Sequence, residues 1–521
     1  MEGKDNKYDP LLKEIWAKVR KKHFFPELPD PTISESMDRV ALEIKSKQIT
    51  LNQSFMEEAA RHLPMEKVVE ALLDHGVAHY TYCPWDFHTH LILYQEAKKV
   101  LKDKEMAQKS AGYFMDVVAD THCFKEKDTP ISDLYSHMER GTLDRVIHAL
   151  YQRIWGRDLN VQGCEEISRK LSRIPYLDRK PWPESIHRFS RIIQGLLESE
   201  EKLGTLNQPN PMGQNDFGRY TPEEMDQGLK EFAMSTGDPG EFKGVVRDLE
   251  DELKEAGCQT HGNMGLGSGS SLDADILFYM KLAENYSLPI KKTPIEKSGS
   301  LYPFSHSPWE LGKPFRDIDP WTSFGKVMPG ITQIWERREG DTFGEEEGTP
   351  SCIVVIDSSG SMINPRQHLS YAVLGAACAS DAYLRNDATV AVYNFSDTRH
   401  GGRQIVDYTR HRTEIYQGIC HYFGGGTRLD IEDIESLQNP SQPDIFIITD
   451  MQITNLEVLI GYINGLGNRV TAVHIGENKD VRQFRKSMEI RKNVSIYSVQ
   501  KKEDIPRIVL GKIREYFRSV S

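Results

Sequence analysis

Five short runs rich in β-branched residues crowd the last third of the chain: CIVVID from Cys352, ATVAVYNF from Ala388, PDIFIITD from Pro443, RVTAVHIG from Arg469 and NVSIYSV from Asn493. Continuous apolar runs of this length suit strands buried on both faces, as in parallel sheets. Helical patterns lie between or after them, at Gln367–Leu384, Leu456–Leu466, Val481–Met488 and Ile505–Phe517. Strand–helix alternation predicts a doubly wound, Rossmann-like α/β sheet with helices on both faces. The extended GRQIVDYTR segment, beginning at Gly402, fits one antiparallel edge strand. In such folds ligands bind at the C-terminal ends of the strands.

Chemistry-bearing residues gather at those ends. The first strand runs into Asp357-Ser358-Ser359-Gly360-Ser361, so Asp357, Ser359 and Ser361 alternate and their oxygens can face one point. Thr427 follows three glycines in GGGTRLD, and Asp450 closes PDIFIITD. Two carboxylates and three hydroxyls are hard oxygen ligands, suited to a small hard cation such as Mg²⁺ or Mn²⁺. Asn394, in YNFSD, sits at another strand end and reads as a supporting group.

At these residues the sequence resembles the von Willebrand A family, whose metal-ion-dependent adhesion site has the motif DxSxS, then a Thr, then an Asp. The resemblance implies direct coordination by Ser359, Ser361 and Thr427, or by some of these with Asp450, while Asp357 acts through water. It also implies one open coordination position. A cation held largely by neutral hydroxyls keeps enough charge to take a carboxylate from a partner.

The N-terminal half reads as helix after helix with few strand signals. Val68, Val69, Leu72, Leu73 and Val77 recur at helical spacing after Pro64, and further patterns run through Asp86–Lys104, Met106–Asp120, Leu143–Trp155 and Pro183–Leu203. Composition divides the chain into a helical region at 1–203, a linker or insertion with short helices at 204–300, a connector at 301–350 and the α/β domain at 351–521. Within the second zone the Gly-, Pro- and Asn-rich stretch at 204–240 reads as linker or an exposed insertion, and Glu241–Ala256 and Leu272–Tyr286 as helices. The aromatic Tyr302–Trp335 run reads as an irregular connector or a small strand pair.

One helix of the first region carries His75-Gly76-Val77-Ala78-His79. Histidines at i and i+4 share a helical face and can grip one metal. The spacing is that of HExxH, with glycine where zinc peptidases carry the glutamate base, and glycine cannot take a proton. This region resembles the metallopeptidase-like (zincin-like) domain found before von Willebrand A domains in some prokaryotic proteins, in which a following helix supplies a third ligand. Carried over, that resemblance implies a Zn²⁺ site at His75, His79 and Asp120, with Asp116, His88, His90 and His122 as further candidates.

Other features limit the function classes. With 65 Lys and Arg against 77 Asp and Glu the net charge is -12, whereas nucleic-acid binding needs a basic stripe. No run approaches the roughly 18 apolar residues of a membrane span. The charged start MEGKDNKYDPLLKEIWAKVRKKH lacks a signal peptide's apolar core, and the seven cysteines form no CxxC pair, so a reducing cytoplasm is expected. GLGSGSS at 265–271 lacks a following GK[ST], so it is not read as a phosphate loop. The expected function is cation-dependent capture of an acidic group on a protein partner. The arrangement resembles von Willebrand A proteins that act as adaptors of MoxR-type AAA+ ATPases. The alternative is a zinc-dependent metallopeptidase, or its inactive relative, whose α/β domain selects substrates.

Overall fold

A computed structural model of the chain describes residues 7–35, 40–42, 48–138, 141–206, 220–255, 271–286, 293–296, 301–310, 313, 318–319, 321–323, 327–339, 345–438 and 442–499. The chain divides into two compact units, Met1–Asn285 with Ile363–Leu374, and Tyr286–Met362 with Gly375–Ser521.

The first unit opens with α1 (Asp9–Lys22), then the short strands β1 (Thr32–Ser34), β2 (Val40–Leu42) and β3 (Ile49–Asn52). Next come α2 (Gln53–Ala59), α3 (Met65–Thr81), α4 (Phe87–Leu101), α5 (Lys104–Glu126) and α6 (Ile131–Ser136). They are followed by α7 (Thr142–Trp155), α8 (Glu165–Leu171) and α9 (Trp182–Lys202). The unit continues with α10 (Pro222–Thr236), α11 (Pro239–Asp248), α12 (Glu250–Glu255) and α13 (Ser271–Glu284).

Helix α5, 23 residues long, is the axis of this unit and packs against α3, α4, α7 and α9. From Ala111 to Thr121 every one of its side chains is buried, and so is every residue of α3 from Val68 to His79. A helix buried on all sides is a core element, and the polar groups it carries inward then need partners. By contrast α9 is amphipathic, burying Trp182, Ile186, Phe189, Ile193 and Leu197 along one stripe. Each fully buried side chain of this size contributes roughly 1.5–3 kcal/mol.

The region is helix-rich as expected, and its few strands, β1–β3, form a small sheet in the order β1-β3-β2. Strands of three or four residues carry too little pattern to register. The expected linker at 204–240 contains α10, whose signals are local. Thr221 accepts from the Glu224 N–H, Glu224 accepts from the Thr221 N–H, Pro222 occupies the first turn, and Gly237 caps the C-terminus at φ 62°. This is a capping box with a left-handed glycine stop. The expected helix at Glu241–Ala256 is two helices, α11 and α12, separated at Leu249.

The second unit begins with β4 (Thr293–Glu296), β5 (Leu301–Pro308), β6 (Gln333–Glu339) and β7 (Glu345–Gly348). These form two antiparallel pairs, β4 with β7 and β5 with β6. The main sheet follows: β8 (Cys352–Asp357), α14 (Tyr371–Leu384), β9 (Val390–Phe395), β10 (Arg403–Thr409), α15 (Arg412–Cys420), α16 (Ile431–Ser436) and β11 (Asp444–Thr449). Then come α17 (Leu456–Gly465), β12 (Val470–Ile475), α18 (Lys479–Met488) and β13 (Val494–Val499). The order is β10-β9-β8-β11-β12-β13, parallel except for β10, which pairs antiparallel with β9 at the edge. Every residue of β8, β9 and β11 is buried, as strands covered on both faces require.

After β8 the chain builds outward through β9 and β10, then returns to the other side of β8 to lay down β11. The order therefore reverses between β8 and β11, and the crevice at their C-terminal ends is the place where such a sheet receives ligands. The helix expected at Ile505–Phe517 and the glycine-rich run at 263–270 lie outside the described residues. Among the described residues no helix is long and apolar enough to cross a membrane.

Candidate metal centre

Strand register brings the first pair of groups together. Ile448 on β11 lies opposite Ile356 on β8, so Thr449 comes level with Asp357. Its hydroxyl donates to Asp357 Oδ2 at 2.6 Å, and the Ser359 N–H donates to Oδ1 at 2.9 Å. The chain then turns so that Ser359 Oγ and Ser361 Oγ stand 3.2 Å apart. Asp357, Ser359, Thr427 and Asp450 are all buried, while Ser361 is exposed at the mouth.

The loop carrying Thr427 is joined to the Asp357 loop through its backbone. Gly360 N–H donates to Gly425 C=O, and Gly424 N–H donates to Ser358 C=O, both at 2.9 Å. A Cβ on Gly360 would stand 3.0 Å from the Gly425 oxygen, so any other residue there obliges the Gly425 loop to give by a few tenths of an ångström, and Gly425 itself lies at φ +87°. Ser396 Oγ holds the Gly426 carbonyl at 2.9 Å. The Thr427 carbonyl accepts from both the N–H and the hydroxyl of Thr454, at 2.9 and 2.8 Å.

Asp450 is held in its turn. Its side chain accepts from the Gln452 N–H at 2.9 Å and the Gln452 amide at 3.0 Å, and Asn478 donates to its carbonyl at 2.6 Å. Met451, next along, adopts φ 62°. Behind the site, Asn394 accepts from the Ser358 hydroxyl at 2.6 Å and donates to the carbonyls of Gly418 and His421, each at 2.8 Å. One fully buried amide thus ties β9 to the Asp357 loop and to the end of α15.

Burial pushes the Asp357 carboxyl up to about 6, opposed by the hydrogen bonds from Thr449 and Ser359 and reinforced by the negative charge of Asp450. Two carboxyl groups in a buried crevice, beside hydroxyls and without nitrogen or sulfur donors among the five, fit a hard divalent cation. Asp357, Ser359, Ser361, Thr427 and Asp450 would hold it. Thr449, Ser358 and Ser396 do not stand out in the sequence, because only the pairing of distant strands and loops reveals what their hydroxyls touch.

The histidine cluster of the first unit lies between α3 and α5. His75 Nδ1 is 2.7 Å from Asp120 Oδ1, and His79 Nε2 is 3.1 Å from Asp116 Oδ1. The pairing runs in opposite directions along the two helices, so they are antiparallel. His75, His79 and Asp116 place one ligand atom each within 4.8 Å of one another. Asp120 stands behind His75 instead, and its other oxygen accepts from the hydroxyls of Tyr135 and Tyr151 at 2.5 and 2.7 Å. The other histidines go elsewhere. His88 pairs with Ser235 and His90 with Tyr220. His122 stacks on Tyr82 at 3.8 Å, and burial and nearby cations lower it to about 4.

No known protein family and no curated protein matches the chain. Among solved structures, the crystal structure of the SpRpn10 VWA domain is similar at 14% identity, over 31% of this chain and 93% of that chain, with a TM-score of 0.23. That likeness is too slight to bear on the site, which stands on the strand order and the loop contacts.

Proposed function

We propose that the second unit is a von Willebrand A-type binding domain that holds Mg²⁺ (or Mn²⁺) at Asp357, Ser359, Ser361, Thr427 and Asp450, and uses it to capture an acidic side chain of a protein partner. The observation that carries this reading is the convergence of the Asp357, Thr427 and Asp450 loops on the β8–β11 crevice. A bound divalent cation there supplies positive charge that a carboxylate can satisfy. The chain's own part is to orient the hydroxyls, keep Asp357 in reach of Thr449 and leave Ser361 at the mouth. The resemblance to adaptors of MoxR-type AAA+ ATPases supports such an ATPase as the partner. Against the peptidase alternative, Gly76 supplies no base, and the two acids of α3 nearest the histidines in sequence are engaged elsewhere. Glu70 pairs with Lys18 and Lys22, and Asp74 with Lys22 and His23.

Calorimetric titration of the metal-free chain with Mg²⁺ tests the site, and affinity capture with and without EDTA tests the function. Asp357→Ala should abolish both the Mg²⁺ heat and the EDTA-sensitive capture while leaving a folded chain. Capture that survives both EDTA and Asp357→Ala would refute the proposal.

A further inference from the structure

We infer that Phe24, Phe25, Trp85, Lys127 and Arg179 of the first unit form a docking surface for an acidic segment of a protein partner, with Arg179 taking one of its carboxylates. This inference does not rest on the Mg²⁺ site.

Backbone strain and exposure mark the surface first. Helix α1 ends in a Schellman motif, in which the Phe25 N–H donates to the Arg20 carbonyl at 2.7 Å and the Phe24 N–H to the Lys21 carbonyl at 3.3 Å. That motif places the first residue past the cap in the left-handed region, where glycine is usual and a bulky side chain is strained. Phe24 nevertheless adopts φ 59° and Phe25 φ 56°, and they are 83% and 63% exposed. Trp85, in the turn between α3 and α4, has φ 44° and is 37% exposed. Of the nine non-glycine residues at positive φ among the described ones, these are the three aromatics. Rings held out to solvent gain little from burial, so folding alone does not account for the strain, and strain of this kind gathers at functional sites.

The rings carry cations that have no carboxylate. Lys127 Nζ stands 4.3 Å from the centre of the Phe24 ring and donates to the Lys22 carbonyl at 3.1 Å. The Arg179 guanidinium stands 4.6 Å from the centre of Tyr82 and 4.4 Å from that of Trp85. Tyr82 is fixed in turn, with its hydroxyl on the Leu177 carbonyl at 3.0 Å and its ring stacked on His122. Burial, Lys127, His23 and Arg179 together hold His122 neutral near pH 7, so the two cations belong to one stretch of surface. Among the described residues neither Lys127 nor Arg179 makes an ion pair, and Asp178 accepts from the Lys180 N–H instead.

A guanidinium laid against two rings has already given up much of its freedom, and Arg179 is exposed. Its fork of N–H donors suits a planar carboxylate, which satisfies two of them at once. An acidic segment bearing apolar side chains meets both features, with its carboxylate on Arg179 and its apolar groups on Phe24, Phe25 and Trp85. Two cations make too short a track for a nucleic-acid backbone, and the net charge of -12 opposes one.

The test uses the full chain in EDTA, so that no cation captures the carboxylates. A phage-displayed library of random peptides is selected on the immobilised chain, and the enriched peptides are labelled for fluorescence anisotropy. They should combine Asp or Glu with apolar residues. Arg179→Gln should weaken their binding about tenfold or more, and Arg179→Lys, which keeps the charge without the fork, should not restore it. Phe24→Gly should also weaken binding about tenfold while its Tm equals or exceeds the wild type's, because glycine suits the left-handed turn. Asp357→Ala should bind the peptides like the wild type, so failure of the Mg²⁺ reading is seen separately. The inference is overturned by a selection that enriches no acidic peptide, or by enriched peptides that bind Arg179→Gln and Phe24→Gly like the wild type. Oligothymidylate or phosphatidylserine vesicles that bind better than any peptide, and lose binding in the same variants, would overturn it too, giving the surface to a nucleic acid or a membrane.

Discussion

Thr449 donates its hydroxyl to Asp357 across the β8–β11 boundary at 2.6 Å, and both side chains are buried. The strand that ends in one candidate ligand, Asp450, therefore also steadies another. Thr449→Val keeps the shape and removes the donor, leaving a buried carboxylate oxygen short of a partner at a cost of about 1–3 kcal/mol. Chemical denaturation should show that loss, and Mg²⁺ titration should show weaker binding, because the ionised form of Asp357 is the one disfavoured. Unchanged stability and affinity would mean that the hydroxyl is dispensable.

The Asp357 carboxyl, raised from 3.8 to about 6, sets a pH window. The native state holds this proton more tightly than the unfolded chain, so in the metal-free protein its contribution to stability is fully present below pH ~4 and is lost as pH rises through about 6. On the proposed reading Mg²⁺ takes the ionised carboxylate, so its affinity should fall as pH drops below about 6, by up to roughly tenfold per unit where one proton is displaced. The Mg²⁺-induced rise in Tm, measured at several pH values between 5 and 7.5, should shrink toward the acid end. A rise of constant size would contradict the placement of Asp357.

Asn394→Ala removes three hydrogen bonds at once, among them those to the carbonyls of Gly418 and His421. The expected destabilisation is about 3 kcal/mol. Hydrogen exchange should quicken at the Asp357 loop and at the end of α15 together, since one amide holds both. Exchange confined to one of them would show that they are not coupled through Asn394.

Gly360→Ala presses a methyl against the Gly425 carbonyl. The Gly425 loop must give by a few tenths of an ångström, so Mg²⁺ affinity should fall while the melting temperature moves little, the residue being exposed. A variant that binds Mg²⁺ like the wild type would show that the loop pairing is not needed.

The parallel strands were legible because each is a continuous β-branched run, and β10 because RQIVDYT mixes polar with apolar residues and breaks that rule. Asp357 and Asp450 stood out because each closes one of those runs, and Thr427 because it follows three glycines. Thr449 was not legible as a partner of Asp357, since 92 residues separate them and only register joins them. On α3, helical spacing paired His75 with His79. That Tyr135 and Tyr151, arriving from α6 and α7, donate to Asp120 was not legible, because only the packing of three helices brings them together. Helix α10 carried its capping box and terminal glycine in plain view, and the Gly- and Pro-rich composition around it concealed them.

The backbone bonds between Gly360 and Gly425, and between Gly424 and Ser358, have a kinetic meaning. Loops that are already stitched together have little wandering left to give up when an ion arrives, so loading should be governed by how fast Mg²⁺ sheds its water. Mn²⁺, which exchanges water more readily, should then enter faster than Mg²⁺ while reaching the same seat.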